Sequence, residues 1–245
     1  MSTTTGTLYG IGMGPGDPAL ITLKAVKILN KVGVIFAAAS TKNKYSLAVN
    51  IAKAYIPDTA RVEMLFFPMT KSKKVTNLSW NDNAKQIIRE LDNGNDVAFV
   101  TLGDPLTYST FGYILQHMKI LAPHISIVSI PGITSYQAAA ARINTPLVEG
   151  EESLLILSGV KGGDRLRKLD KESENIVFLK AYKNVKDIIA AIDETGRLEN
   201  SAGISSCGLP EERIIKDIKV LKESPPDYWT LIIAKNKKED DPQKS

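Results

Sequence analysis

Short apolar runs rich in β-branched residues alternate along this chain with longer segments whose apolar positions recur every three or four residues. The short runs predict strands at residues 7–11, 32–36, 62–66, 96–101 and 125–129, because runs of this length and composition suit a buried extended chain. The periodic segments predict helices at 19–29, 45–54, 81–91 and 108–119. In the first of them Leu20, Leu23 and Val26, with Ile28 or Leu29, share one face, while Lys24 and Lys27 lie off it. Strands that alternate with helices point to α/β architecture with mainly parallel strands in this half.

The pattern resumes after Ala122-Pro123 with strands expected at 153–157, 175–180, 202–206 and 228–234 and helices at 134–141, 164–169 and 185–194. Two α/β domains are therefore expected, an N-terminal one over residues 1–121 and a C-terminal one over 122–245. Pro225-Pro226 predicts a closing loop before the last strand, since neither proline donates to a ladder. From Asn236 the chain is charged and is expected to fray. No internal repeat is visible.

Composition narrows the class. With 245 residues, 43% hydrophobic and 24% charged, the chain has enough apolar material for a full core. No apolar run approaches the roughly 18–20 residues of a membrane span, and the N-terminus lacks the basic and apolar regions of a secretory signal. One cysteine, Cys207, excludes an internal disulfide framework. His117 and His124 stand without metal-ligand spacing, so no metal site is expected and a cytoplasmic setting follows. The net charge of +4 is mild and, apart from Lys71 to Lys74 and the tail, spread out, which is weak support for nucleic acid and suits a small polyanion equally well.

The chemistry concentrates at strand ends. After the first strand, Gly10, Gly12, Gly14 and Gly16 alternate through Leu8-Tyr-Gly-Ile-Gly-Met-Gly-Pro-Gly-Asp-Pro18. The spacing fails both the dinucleotide fingerprint and the phosphate loop, and Asp17 would repel a pyrophosphate. Four glycines exceed what one turn requires, which suggests a loop shaped for close approach of a ligand and stiffened by Pro15. Asp17-Pro18 reads as the cap and first residue of the helix that follows. Further strand-end loops are Thr101 to Thr110, with Gly103-Asp104-Pro105 and the hydroxyls of Thr107, Tyr108 and Ser109, and Ser129 to Tyr136, where Thr134 and Ser135 meet a helix N-terminus. Two more are Phe178 to Asn184, with Tyr182 and Lys183, and Ile204 to Arg213, with Cys207. No His or Asp near Cys207 in sequence would activate it, and it reads as a small buried filler. Nothing resembles a Ser-His-Asp set or paired carboxylates, and no catalytic residue is assigned.

Taken together, these segments resemble the tetrapyrrole methylase family. The family's turn Gly-x-Gly-Pro-Gly-Asp-Pro is similar to Gly12 to Pro18, its Gly-Asp-Pro loop to Gly103 to Pro105, its Pro-Gly-(Ile/Val)-(Thr/Ser)-Ser turn to Pro131 to Ser135, and its late Leu-Pro-Glu to Leu209 to Glu211. The order is preserved from about Leu8 to about Ala234. Within the family the chain looks most like the precorrin-2 C20-methyltransferases of cobalamin and porphyrin-type biosynthesis. The signs are Tyr9 to Ala25, Thr101 to Phe111 with its Tyr-Ser-Thr-Phe continuation, and Ala138 to Arg142 with Pro146-Leu147.

The resemblance implies two α/β domains with S-adenosylmethionine as co-substrate in the cleft between them. It places the cofactor against Pro15, Gly103, Asp104, Leu106, Thr107, Ser109, Thr134, Ser135, Tyr182, Cys207 and Thr230, and the tetrapyrrole against Gly14, Gly16, Asp17 and Tyr108. Tyr182 departs from the methionine or leucine common at its position. The resemblance further implies methyl transfer to C20 of cobalt-precorrin-2 or metal-free precorrin-2, any cobalt arriving within the substrate, and a homodimer without nucleic-acid or membrane partners. Lys42, Lys44, Arg142 and Lys183 are candidates for holding substrate carboxylates. Other readings are a different precorrin methylase, a ribosomal-RNA methylase on the same scaffold, and a non-catalytic cofactor-binding module.

Overall fold

A computed structural model describes residues 5–39, 46–224 and 226–236. Lys42, Lys44, the start of the expected helix at Tyr45, Pro225 and the charged tail beyond Asn236 lie outside the described residues. The chain forms two compact units, Met1–Thr134 and Ser135–Ser245.

The first unit follows the predicted alternation: β1 (Leu8–Gly12), α1 (Leu23–Leu29), β2 (Val34–Ala39), α2 (Leu47–Ala52), β3 (Arg61–Phe66), α3 (Lys73–Asp92), β4 (Val97–Thr101), α4 (Phe111–Leu121) and β5 (Ile127–Ile130). The strands form one sheet in the order β3-β2-β4-β1-β5, and every pairing is parallel. A parallel sheet needs apolar side chains on both faces because crossover helices cover both. Leu8, Phe36 and Phe99 pack on one face with Ile87 and Leu91 of α3 and Ile114 and Met118 of α4. Ile11, Ile35 and Val100 pack on the other with Ala25 and Leu29 of α1 and Ala48 and Ile51 of α2. All five residues of β4 are buried, as its central place demands.

The boundary expected after Leu121 falls later. Residues Leu8–Ile11 pair in register with Ile127–Ile130, so β5 completes the first sheet and the first unit runs on to Thr134. The chain punctuation at Ala122-Pro123 is a helix end inside a unit. Two further details differ from the sequence reading. Asp17 caps a single 3₁₀ turn, Pro18–Leu20, and α1 begins only at Leu23, where the Thr22 hydroxyl accepts from the Ala25 N–H. The α3 helix starts at Lys73, well before residue 81, with the Ser72 hydroxyl accepting from the Val75 N–H.

The second unit comprises α5 (Ser135–Arg142), β6 (Leu154–Ser158), α6 (Asp164–Leu169), β7 (Asn175–Leu179), α7 (Val185–Glu194), β8 (Ser201–Ser205), β9 (Arg213–Ile215) and β10 (Thr230–Lys235). Its sheet order is β6-β7-β10-β8-β9, with β6 and β7 parallel and the other pairs antiparallel. The short strand β9 has no predicted counterpart, since three residues carry too little periodicity. The core gathers Phe178, Ile176 and Ile232 from the sheet with Val185, Ile188, Ile189 and Ile192 from α7.

Candidate functional site

In a parallel sheet all strand carboxyl ends reach one edge, and the loops that leave there are the usual place for ligands. At that edge of the first unit, the loops following β1, β4 and β5 are bonded to each other. Gly14 and Gly103 form an antiparallel bridge, with Gly14 N donating to Gly103 O at 3.2 Å and Gly103 N to Gly14 O at 2.7 Å. Met13 N donates to Thr101 O at 2.9 Å. Gly14 and Gly103 have φ of +78° and +67°, values a side chain would strain.

Backbones also meet directly here. A Cβ on Gly12 would stand 2.4 Å from Gly103 O and 2.7 Å from Gly132 N, and one on Gly132 would stand 2.2 Å from Gly103 O. A Cβ on Gly10 would enter the Phe111 ring at 2.1 Å. The alternating glycines are thus explained by internal packing at Gly10 and Gly12 and by backbone conformation at Gly14. Close approach of a ligand is not needed to account for these three.

Asp104 clamps two of the loops. Its Oδ1 accepts from Leu106 N at 2.9 Å and from the Thr107 hydroxyl at 3.4 Å, and its Oδ2 accepts from Gly132 N at 3.2 Å. Ser109 shares a hydrogen bond of 2.8 Å with Thr101 and accepts from Phe111 N at 3.1 Å, which starts α4. Tyr108, between them, has φ of +51° and is exposed, as is Leu106. Gly14, Pro15, Gly16 and Thr134 are buried. Asp17 is exposed and its carboxylate accepts from Ala19 N at 2.8 Å.

The second unit gathers its own set at one edge of its mixed sheet. Because β10 runs antiparallel to β7 and β8, its first residue lies beside their last ones. Ala181 N donates to Thr230 O at 2.9 Å, and Ser206 N donates to Trp229 O at 3.1 Å. Lys180 and Ser206, one residue past each strand, both have positive φ, +59° and +53°. The turns bring Tyr182, Cys207 and Thr230 to the same edge. The Tyr182 ring lies 4.9 Å from that of Tyr228, and the Lys183 ammonium 5.8 Å from the Tyr182 centroid. Ser205 and Thr230 share a buried hydroxyl–hydroxyl bond of 2.5 Å. Ser135 is the first residue of α5.

Cys207 is buried, and burial together with the adjacent Glu212 carboxylate pushes its thiol up to about 11. At pH 8 only about one molecule in a thousand then carries the thiolate. Alkylation by iodoacetamide in native buffer is expected to run far slower than after denaturation. Rapid native labelling would contradict a buried wall residue and reopen a nucleophilic role. Glu212 was not singled out in the sequence, although it directly follows the Leu-Pro-Glu segment. Arg142, a candidate for substrate carboxylates, pairs instead through Nε with Glu212 Oε1 at 2.6 Å. Among the described residues no three His, Cys, Asp or Glu side chains gather as a metal-ligand group.

Comparison with known proteins agrees with the sequence motifs. The model of the family described as Tetrapyrrole (Corrin/Porphyrin) Methylases matches residues 7–219. The chain is 40% identical over 76% of its length to a probable cobalt-precorrin-2 C(20)-methyltransferase of Methanocaldococcus jannaschii, of which it covers 76%. It is 31% identical over 94% of its length to the cobalt-precorrin-2 C(20)-methyltransferase of Salmonella typhimurium, covering 96% of that protein. Among solved structures, a cobalt precorrin-4 methyltransferase superimposes with a TM-score of 0.72 at 23% identity, 94% of each chain being covered. The uroporphyrin-III C-methyl transferase of Thermus thermophilus, complexed with S-adenosyl homocysteine, gives 0.68 at 20% identity, with 94% of this chain and 92% of that one covered.

Proposed function

The chain belongs to the tetrapyrrole (corrin/porphyrin) methylase family, and on that premise we propose that it methylates C20 of cobalt-precorrin-2, or of metal-free precorrin-2, in cobalamin biosynthesis. The observation that carries this reading is similarity, over 76% and 94% of the chain, to proteins bearing that activity in their names. The co-substrate is S-adenosylmethionine, which when bound supplies an electrophilic sulfonium methyl. One feature of the first unit fits such a ligand: where a Gly103 side chain would begin, the nearest atom is Ile133 O at 4.0 Å, so this strand-end backbone is open on one side.

On this reading Pro15, Gly103, Asp104, Leu106, Thr107, Ser109 and Thr134 of the first unit hold the co-substrate, as do Ser135, Tyr182, Cys207 and Thr230 of the second. Gly14, Gly16, Asp17 and Tyr108 face the tetrapyrrole. Several of these act through shape. The Asp104 carboxylate fixes its own loop and the Gly132 turn, and the Asp17 carboxylate holds the Pro18–Leu20 turn. The C20 carbon of a reduced tetrapyrrole is already nucleophilic, so orienting it and excluding water are the main tasks for the protein. Lys183 is the exposed cation of the second unit best suited to a substrate carboxylate, since Arg142 is committed to Glu212. The reading includes a cytoplasmic homodimer without a nucleic-acid or membrane partner. No helix among the described residues is long and apolar enough to cross a membrane.

Incubation with S-adenosylmethionine and each form of precorrin-2, followed by mass spectrometry and NMR, tests the assignment. One added methyl at C20 is expected. Methylation at another carbon would make the chain a different precorrin methylase, and no methylation of either form would remove the assignment. A mutation tests the loop clamp. Asp104→Ala leaves Leu106 N and Gly132 N without their acceptor, which is expected to cost about 2 kcal/mol and to weaken S-adenosylhomocysteine about tenfold. Thermal unfolding and calorimetric titration read the two effects. An unchanged dissociation constant would take Asp104 out of the site.

A further inference from the structure

The loop after β8 is held by one carboxylate that no sequence motif had marked. Glu212 Oε2 accepts from Gly208 N at 2.7 Å, and Oε1 accepts from Arg142 Nε, at the last residue of α5. The Cys207 thiol lies beside it. The Glu212 side chain is only 12% exposed, whereas Arg142 is 62% exposed. Both bonded partners are donors, one at each oxygen, so only a group that accepts at both oxygens satisfies them together.

We infer that Glu212 is a positioning residue for the co-substrate: it sets the path of Ser206, Cys207 and Gly208 at the sheet edge and ties that turn to α5, without touching the reacting atoms. The inference rests on the methyltransferase reading, which puts Cys207 against the co-substrate. Two further observations make this turn one that needs holding. Ser206 has φ of +53°, a region that non-glycine residues rarely occupy. Gly208, two residues on, also has positive φ, +76°. Main-chain bonds from Ser206 N to Trp229 O and from Leu209 N to Ser206 O shape this turn, and the carboxylate adds the bond that holds the Gly208 N–H between them.

The charge state supports the same role. Burial pushes the Glu212 carboxyl up, but the Gly208 N–H, Arg142 and the Cys207 thiol outweigh it and leave it below the ordinary carboxylate range. A lowered value means the tie is intact above the ordinary carboxylate pKa and is lost only as pH falls through the lowered one. The groups that face Glu212 are Arg142 from α5 and Cys207 and Gly208 from its own loop.

Glu212→Gln is the decisive variant, because its amide NH₂ would confront a donor. It is expected to weaken S-adenosylhomocysteine at least tenfold and to raise KM for S-adenosylmethionine by a similar factor. The kcat at saturating co-substrate is expected to stay within about twofold of wild type, a split that mere loss of folded enzyme does not produce. Cys207 should alkylate faster in the variant. Glu212→Asp keeps two acceptor oxygens on a shorter stem and should lose less. If Glu212→Gln does not fold, Glu212→Asp carries the test: weaker binding supports the inference and wild-type binding overturns it. Unchanged dissociation constant and KM in folded Glu212→Gln overturn this inference alone. Wild-type protein that binds no S-adenosylhomocysteine would overturn the methyltransferase reading and this one with it.

Discussion

Gly132→Ala is expected to destabilise the first unit by about 3 kcal/mol or more, at the severe end of overpacking substitutions. The added methyl would lie 2.2 Å from Gly103 O and 2.8 Å from both Gly12 C and Gly12 Cα. All three obstacles are backbone atoms, of Gly103 and of Gly12 at the end of β1, and these segments are locked together by the Gly14–Gly103 bridge. No side chain can swing away to make room. The strand ends of β1, β4 and β5 would have to separate, and the described candidate residues of that unit lie on or beside them. Gly112→Ala is the matched control. It sits in α4 with nothing within 4 Å of the new methyl and should stabilise by about 0.5–1 kcal/mol. Urea unfolding of both variants measures the contrast. A loss below about 1 kcal/mol for Gly132→Ala would mean that the three loops are not packed this tightly.

Arg197→Ala is expected to cost the second unit about 3–5 kcal/mol, because it empties a buried volume and leaves several carbonyls without a donor. Arg197 is among the largest fully buried side chains, and its guanidinium gathers the turns around it. It pairs with the Asp170 carboxylate and donates to the carbonyls of Asp170, Ser173, Glu174 and Thr195. The Asp170 side chain is 37% exposed and can regain water, so most of the cost falls on the carbonyls left without a donor. Arg197→Lys should recover little, because an ammonium cannot reproduce the planar fork that reaches four carbonyls. Calorimetric melting of both variants tests this. A lysine variant as stable as wild type would show that charge alone matters there.

In the sequence Gly132 reads as part of the Pro131-Gly132 turn, with no sign of what it packs against, and Arg197 does not stand out at all; the reason is physical. Periodicity reports which residues face a core, and it located most strands and helices here to within a few residues. The three-residue β9 and the early start of α3 escaped it. One is too short to show a period, and the other begins at a serine cap within a polar stretch. The unit boundary escaped it for a different reason. A helix end followed by Pro123 looks the same whether the next strand founds a new sheet or closes an old one. Pairing of β5 with β1 decided that.

The sequence by itself determined the α/β class, the two-unit organisation and membership in the family, because those depend on local apolar patterning and on short motifs whose order survives. It also pointed to strand-end loops as the places where chemistry concentrates. Only the tertiary structure decided what each of those residues does within its own unit. Alternating glycines read as room for a ligand are, at Gly10, room for Phe111 and, at Gly12, room for Gly103 and Gly132. Asp17 holds a 3₁₀ turn rather than α1, and Arg142 answers Glu212, 70 positions away in the chain. Such contacts join residues far apart in sequence, and a single chain read end to end carries no signal of which distant partners the sheet order will bring together.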